Sequence, residues 1–199
     1  MKNTDITLRL VTEQDAAEIL AIYSLYIENT SITFECEVPS LEAFAERIRS
    51  ITASFPYIAA IKDGHIIGYA YAKAYHEREA YARTVELSIY LHPECKGQGT
   101  GRRLYNALEE ALRLQGILNM VVSITDSADK DHGHSTNDSL SFHTRMGFNL
   151  IGTMNSCGYK FGKWYNVVHM EKFLGEHSPV PEPVKSYHQI AECINLDAF

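Results

Sequence analysis

The stretch Leu91-His92-Pro93-Glu94-Cys95-Lys96-Gly97-Gln98-Gly99-Thr100-Gly101-Arg102-Arg103-Leu104 decides the reading of this chain. Upstream of it, Thr84 to Leu91 alternates like a strand. Downstream, Leu104, Ala107, Leu108, Ala111 and Leu112 recur at helical spacing as far as Gly116, a helix stop. Three glycines therefore stand where a strand becomes a helix. Glycine tolerates the backbone that a tight turn needs, so several N–H groups can converge on one anion at the helix N-terminus. Arg102 and Arg103 add charge nearby, and a phosphate or pyrophosphate is the natural ligand. A turn and helix start with no ligand would use the same glycines. Two familiar phosphate loops are excluded: no Gly, four residues, Gly-Lys-Ser/Thr spacing occurs, and Arg102 stands where GxGxxG needs its third glycine.

Working outward, Ile6 to Val11 alternates as a strand, and Ala16, Ile19, Leu20, Tyr23 and Ile27 follow at helical spacing. Ser40 is placed to cap a second helix carrying Leu41, Phe44, Ile48 and Ile51. Tyr57–Ile61 and Ile66–Tyr71 flank Asp63-Gly64, a hairpin signal. Met120–Ile124 reads as a buried strand, 126–137 as a polar surface loop and Ser139–Met146 as a helix stopped by Gly147. Strands near Phe148–Met154 and Asn166–Phe173 follow. This order predicts a mixed sheet with helices on both faces, in the α/β or α+β class. Order alone leaves several folds open. Residues 1–174 form the expected domain, and Pro179, Pro181 and Pro183 mark 175–199 as an extended tail.

With 199 residues, 45% hydrophobic and 22% charged, the chain suits one globular domain. Its apolar runs fall far short of the roughly 20 residues of a membrane span, and the N-terminus has no signal-peptide pattern, so a cytoplasmic protein is expected. A net charge of −7 speaks against a general nucleic-acid binder. Cys36, Cys95, Cys157 and Cys193 are dispersed and form no CxxC pair, so neither a disulfide framework nor a zinc site is expected. Asp126, Asp129, Asp131, His132 and His134 lack a metal-ligand spacing and read as a hydrated loop.

Lys96-Gly97-Gln98-Gly99-Thr100-Gly101 resembles the Q/R-x-x-G-x-G/A signature of the GNAT acetyltransferases, with Lys96 in the first place. His143-Thr144-Arg145-Met146-Gly147-Phe148 resembles the Y-x-x-x-G-F of that family, with histidine first. A narrower resemblance runs from Arg9 to about Phe173. Ala21-Ile22-Tyr23, Thr30 to Glu35, Gly68–Tyr71, Arg78 with Tyr81, Thr84-Val85-Glu86 and Gly158–Trp164 are similar, in the same order, to the phosphinothricin and methionine-sulfoximine acetyltransferases. There are departures. The 126–136 loop is longer, Glu77 and Glu79 flank Arg78, and the asparagine usual seven residues before the histidine stands one place later, at Asn137. The tail after Gly175 lies outside the resemblance.

The resemblance implies a GNAT fold, acetyl-CoA as co-substrate, no metal, and a homodimer. It places the coenzyme pyrophosphate on Lys96, Gly97, Gln98, Gly99, Thr100, Gly101 and Arg102, with Asn137 as a further contact. It runs the acetyl-pantetheine arm along the backbone of Leu87, Ser88 and Ile89, where an N–H would serve as oxyanion donor. Phe34, Arg78, Tyr81, Thr84 and Val85 become candidate substrate residues.

Acetyl transfer to an amine needs a base for the ammonium, a donor for the carbonyl and an acid for the thiolate. On the strand Thr84–Leu91, alternation puts Glu86 on one face with Thr84, Ser88 and Tyr90. Spacing alone suits a salt-bridged or solvent-facing glutamate equally; the resemblance makes Glu86 the general base, acting through water. His143 is expected either to exchange a proton with the thiol or contact it, since an ordinary imidazole titrates near neutrality, or to be a satisfied surface or packing residue of its helix. Arg78 could grip a carboxylate or phosphinate by two points, or sit in a solvated connector paired with Glu77 or Glu79. The leading expectation is acetylation of the primary amine of a small amino acid or analogue. A polyamine or protein N-terminus as acceptor, and a non-catalytic coenzyme A sensor, are the alternatives.

Overall fold

A computed structural model of the chain describes residues 6–126 and 136–199. Strand β1 (Ile6–Leu10) turns into helix α1 (Ala16–Asn29) at Asp15. The Arg9 guanidinium holds both Asp15 carboxylate oxygens at 2.7 Å, and the Thr12 N–H donates to the same group at 2.8 Å. Helix α2 (Leu41–Thr52) starts at Ser40, whose Oγ accepts the Ala43 N–H at 3.1 Å, the expected cap. Strands β2 (Tyr57–Lys62) and β3 (His65–Ala74) meet in a two-residue turn in which Asp63 and Gly64 both take positive φ, 51° and 82°.

The remaining elements are β4 (Thr84–Leu91), α3 (Thr100–Gln115), β5 (Asn119–Asp126), α4 (Thr136–Arg145), β6 (Asn149–Lys160), β7 (Lys163–Phe173) and a short α5 (Tyr187–Ile190). They form one seven-stranded sheet in the order β1-β2-β3-β4-β5-β7-β6. Every neighbouring pair is antiparallel except β4 and β5. That parallel ladder is short: Thr84, Val85 and Glu86 pair with Asn119, Met120 and Val121, and it ends there, while β4 stays paired with β3 as far as Leu91. The sheet therefore opens between β4 and β5 just past Glu86.

Alternation along the strands feeds a core on each face. Ile58, Ala60, Ala70, Ala72, Val85 and Leu87 pack with Leu104, Leu108 and Leu112 of α3. Tyr57, Ala59 and Tyr69 face Ile19, Tyr23 and Ile27 of α1 and Phe44 and Ile48 of α2. Each fully buried Val, Leu, Ile or Phe side chain among them contributes about 1.5–3 kcal/mol, and the alanines less.

Three features differ from the sequence expectation. Strand β6 continues past Met154 through a bulge at Ser156, whose φ is 49° and whose N–H donates to Asn166 Oδ1 at 2.8 Å. The bulge interrupts the period-two pattern, and a Phe161-Gly162 turn at φ 51° and 76° closes the long hairpin to β7. Helix α4 begins at Thr136 rather than Ser139. The stretch expected to trail off as an extended tail is docked: Lys185 N–H donates to Gln115 O at 2.8 Å, Tyr187 and Ile190 are buried, and Val184, Leu196 and Phe199 pack against the α3-side core.

Candidate active site

The glycine loop has the geometry that its composition suggests. Pro93–Cys95 form one 3-10 turn, Gly97 and Gly99 adopt left-handed φ of 76° and 82°, and Gly99 is the N-cap of α3. A Cβ at Gly97 or Gly99 would meet open space, so the glycines are required by backbone conformation and leave a clear approach to the N–H groups. Gly101 is different: a Cβ there would lie 3.4 Å from the Phe142 ring, so its role is close packing of α3 on α4. Thr100 is 1% exposed, and its Oγ1 has no hydrogen-bond partner among the described residues. Arg102 and Gln98 lie on the exposed side of the loop. An orphaned hydroxyl beside converging amides at the start of a 16-residue helix fits an anionic ligand.

From the loop a groove of about 280 Å³ runs along β4, walled by Ile89, Leu91, Tyr26 and Phe142 and bordered by Lys96, Gly97, Gly101 and Ser139, with His143 at its side. Its lining is mainly apolar, which suits a flexible arm attached to a phosphate. A second cavity, of about 790 Å³, holds Glu86, Leu87 and Ser88 together with Thr33, Phe34, Arg47, Lys73 and Ser123. Ile32 borders both spaces, and Ser88 and Ile89 are neighbours in β4, so groove and cavity meet on that strand where the β4–β5 ladder has ended.

In the cavity the Glu86 side chain is a quarter exposed. Lys73 Nζ lies 3.0 Å from Oε2, and Ser123 Oγ donates to Oε1 at 2.8 Å. Glu86 is thus salt-bridged and stands on the cavity wall. Arg47 forks onto Glu35 at 2.7 and 3.3 Å and lies over the Phe44 ring, 5.4 Å from its centroid. The cavity wall carries two cations and two anions, Lys73 and Arg47 against Glu86 and Glu35.

His143 is only 3% exposed. Its Nδ1 lies 2.8 Å from the Ser139 carbonyl, which can only accept, so Nδ1 carries the proton and Nε2 accepts from the Tyr105 hydroxyl at 3.0 Å. Burial pushes its pKa down to about 4, and burial also pushes the Tyr105 phenol well up. The near-neutral titration expected of an ordinary imidazole is therefore absent, and the ring stands neutral at the side of the groove.

The candidate substrate residues divide. Phe34 is in the Glu86 cavity and rests on the backbone of Gly158, where a Cβ would come within 2.1 Å of its ring. Thr84 Oγ1 accepts the Asn119 side-chain amide at 3.2 Å. Val85 is 0% exposed, with its side chain in the core, so only its backbone can face a substrate. Arg78 and Tyr81 are not in the Glu86 cavity. They line a separate depression with Ala74, Tyr75, His76 and Glu77, which shares no lining residue with the Glu86 cavity. The Asn137 side chain, and Asp129, Asp131, His132 and His134, lie outside the described residues. Among the described residues no cluster of His, Cys, Asp or Glu is arranged for a metal ion, and no helix is long and apolar enough to cross a membrane.

Sequence reading missed Lys73, Glu35, Arg47 and Ser123 as cavity residues. Their only signal was position: Lys73 is the cross-strand partner of Glu86, which becomes visible once the β3–β4 register is known.

Comparison with known proteins gives the family of the chain and its fold. The family model described as an acetyltransferase (GNAT) domain matches residues 8–169. The phosphinothricin N-acetyltransferase of Alcaligenes faecalis is 35% identical over 170 residues, covering 84% of this chain and 82% of that protein. The L-methionine sulfoximine/L-methionine sulfone acetyltransferase of Pseudomonas aeruginosa is 32% identical over 172 residues, covering 84% and 94%. Among solved structures, a phosphinothricin acetyltransferase from Sinorhizobium meliloti in complex with AcCoA superposes with a TM-score of 0.80 at 33% identity, covering 92% of this chain and 99% of that one.

Proposed function

This chain belongs to the GNAT acetyltransferase family and is an acetyl-CoA-dependent N-acetyltransferase; from that premise we propose that it acetylates the primary amine of a small amino acid or analogue. One observation carries the reading: the loop-bound groove and the Glu86 cavity meet at Ser88 and Ile89 of β4. Acetyl-CoA supplies the activated acetyl group. Gly97, Gln98, Gly99, Thr100, Gly101 and Arg102, with Lys96 beside them, would hold its phosphates, and Ile89, Leu91 and Phe142 would flank its arm. The backbone of Leu87, Ser88 and Ile89, on the strand edge that β5 has left, would supply a donor to the carbonyl oxygen.

Glu86 is the base in this reading. An ammonium cannot attack until it loses a proton, and of the two carboxylates lining the cavity Glu86 stands two residues from Ser88 on β4, whereas Glu35 is held by both terminal nitrogens of Arg47. Lys73 and Ser123 fix its two oxygens and leave lone pairs for a water between it and the amine. The balanced charges of the cavity suit a zwitterionic acceptor better than a polyamine. Arg78 and Tyr81, which line their own depression beyond the end of β3, would take the carboxylate. His143, neutral and bonded at both nitrogens, is assigned to packing α4 against Tyr105 and shaping the groove.

Two further parts of the reading rest on surface chemistry. Leu150, Ile151, Met154, Tyr159 and Trp164 expose 53–65% of their surface on the β6–β7 hairpin, which supports a homodimer through that face. Four free cysteines, three of them exposed, suit a reducing cytoplasm. The test is a panel of amino acids, their amides and polyamines, scored by released coenzyme A thiol. Amino acids should give the highest kcat/KM, and a preference for polyamines would overturn the assignment.

A further inference from the structure

A polar line crosses the sheet through Glu86. Lys73 and Glu86 are register partners on β3 and β4, and Ser123 and His169 are register partners on β5 and β7. Ser123 Oγ bridges the two pairs, 2.8 Å from Glu86 Oε1 and 3.3 Å from His169 Nδ1, and His169 Nε2 lies 3.3 Å from Met154 Sδ. A thioether sulfur can only accept, so Nε2 carries the hydrogen of the neutral ring and Nδ1 presents a lone pair. Ser123 has one hydrogen, which it gives to the ionised Glu86. No hydrogen then lies between Oγ and Nδ1, which accounts for the longer second distance.

We infer that Ser123 and His169 form a relay that carries the proton accepted by Glu86 out to solvent; this rests on the reading of Glu86 as base. Once Glu86 is protonated, its O–H must donate, and the Ser123 oxygen is the acceptor in place. The Ser123 hydroxyl then turns its hydrogen to His169 Nδ1. In the transfer the Glu86 O–H bond breaks as a Ser123 O–H bond forms, while the original Ser123 O–H breaks as Nδ1–H forms. Glu86 returns to a carboxylate, Ser123 to a neutral hydroxyl, and the imidazolium gives its new Nδ1 proton to water on the exposed Ser123 side, which restores the ring with its hydrogen on Nε2 and a lone pair on Nδ1. Ser123 is exposed and His169 partly so, which gives that proton an exit on the cavity side of the sheet. Lys73 holds the other oxygen of Glu86 and cannot accept a proton while charged.

The experiment compares Ser123→Ala, His169→Phe, the double variant, His169→Gly and Glu86→Gln. Each relay variant should lose about tenfold in kcat, less than the 10²–10⁴-fold typical of the base itself. KM for the amine and coenzyme A affinity should stay at parent values. The double variant should lose no more than either single one, because both break the same chain. Added imidazole should restore His169→Gly but not Ser123→Ala. Parent-like kcat in Ser123→Ala, additive losses, or no imidazole rescue would overturn the relay. If Glu86→Gln collapses while the relay variants remain parent-like, only the relay fails; if Glu86→Gln itself turns over normally, the base assignment fails with it.

Discussion

Lys160 Nζ lies 2.7 Å from the carbonyl oxygen of Ile27, in the last turn of α1. The same ammonium donates to the Thr30 and Thr33 carbonyls, each at 2.9 Å, and the residue is 3% exposed. Helix C-termini leave carbonyls without partners and carry partial negative charge, so a cation there is favourable. Burial pushes the Lys160 pKa down, while three carbonyl acceptors on one nitrogen call for the ammonium form. The residue thereby ties β6 to the loop that presents Ile32, Thr33 and Phe34 to the cavities.

Lys160→Met keeps the length of the side chain but leaves those carbonyls dry, at about 1–3 kcal/mol for each that finds no other donor. Denaturant unfolding should show that loss, and KM for the amine should rise because the Phe34 loop is released. A variant with parent stability and KM would show that the clasp is incidental.

Gly99 and Gly64 share a φ of 82° and open space where a Cβ would go, so alanine should strain both backbones by a similar amount, about 1–2 kcal/mol. Only Gly99 belongs to the loop at the start of α3. Gly99→Ala should therefore lose coenzyme A affinity sharply by calorimetry, while Gly64→Ala keeps it. Equal affinities in the two variants would reduce the glycine loop to a turn.

His143 gives the stability a defined pH dependence. Its pKa is about 4 in the folded chain against the ordinary 6.5, so between those values the unfolded chain binds a proton that the native one refuses. Stability is full above 6.5 and declines as pH falls toward 4, by on the order of 3 kcal/mol from this group. His143→Gln should remove that share of the decline in urea titrations at about pH 7 and about pH 4. Identical acid sensitivity in parent and variant would contradict the buried neutral imidazole.

Arg78→Ala should lower kcat/KM for an amino acid about tenfold to a hundredfold more than for its amide, as expected for losing a charge-assisted pair of about 1.5–3 kcal/mol. Arg78→Lys should recover part of it, since an ammonium cannot make two parallel contacts. A constant ratio would return Arg78 to the solvated connector and leave the enzyme a general amine acetyltransferase.

What the sequence disclosed follows from where local chemistry decides structure. Ser40 acts through its own side-chain oxygen and Asp63-Gly64 and Gly116 through their own backbone, and each stands where its residue type places it, Gly116 at a φ of 88°. The Glu86 face of β4 followed from alternation alone. The Ser156 bulge and the Phe161-Gly162 turn were hidden because one breaks the alternation and the other puts a phenylalanine where turns favour small polar residues. The docking of the tail depends on the surface that α3 offers to Tyr187 and Ile190, which no local pattern reports. Site residues divided in the same way. The glycine loop was legible from composition, whereas Lys73, Arg47 and Ser123 join Glu86 only through strand register and the packing of α2, and Val85 was placed by resemblance on a surface that its buried side chain does not reach.

The most direct measurement is the turnover of Glu86→Gln beside its coenzyme A affinity. Glutamine keeps the size of the side chain and can still accept from Ser123, so the cavity and the groove should persist and calorimetry should give the parent affinity. With general-base catalysis at Glu86, kcat falls by roughly 10²–10⁴-fold from roughly pH 6 to roughly pH 9. Parent-level turnover over that range would remove Glu86 from the chemistry.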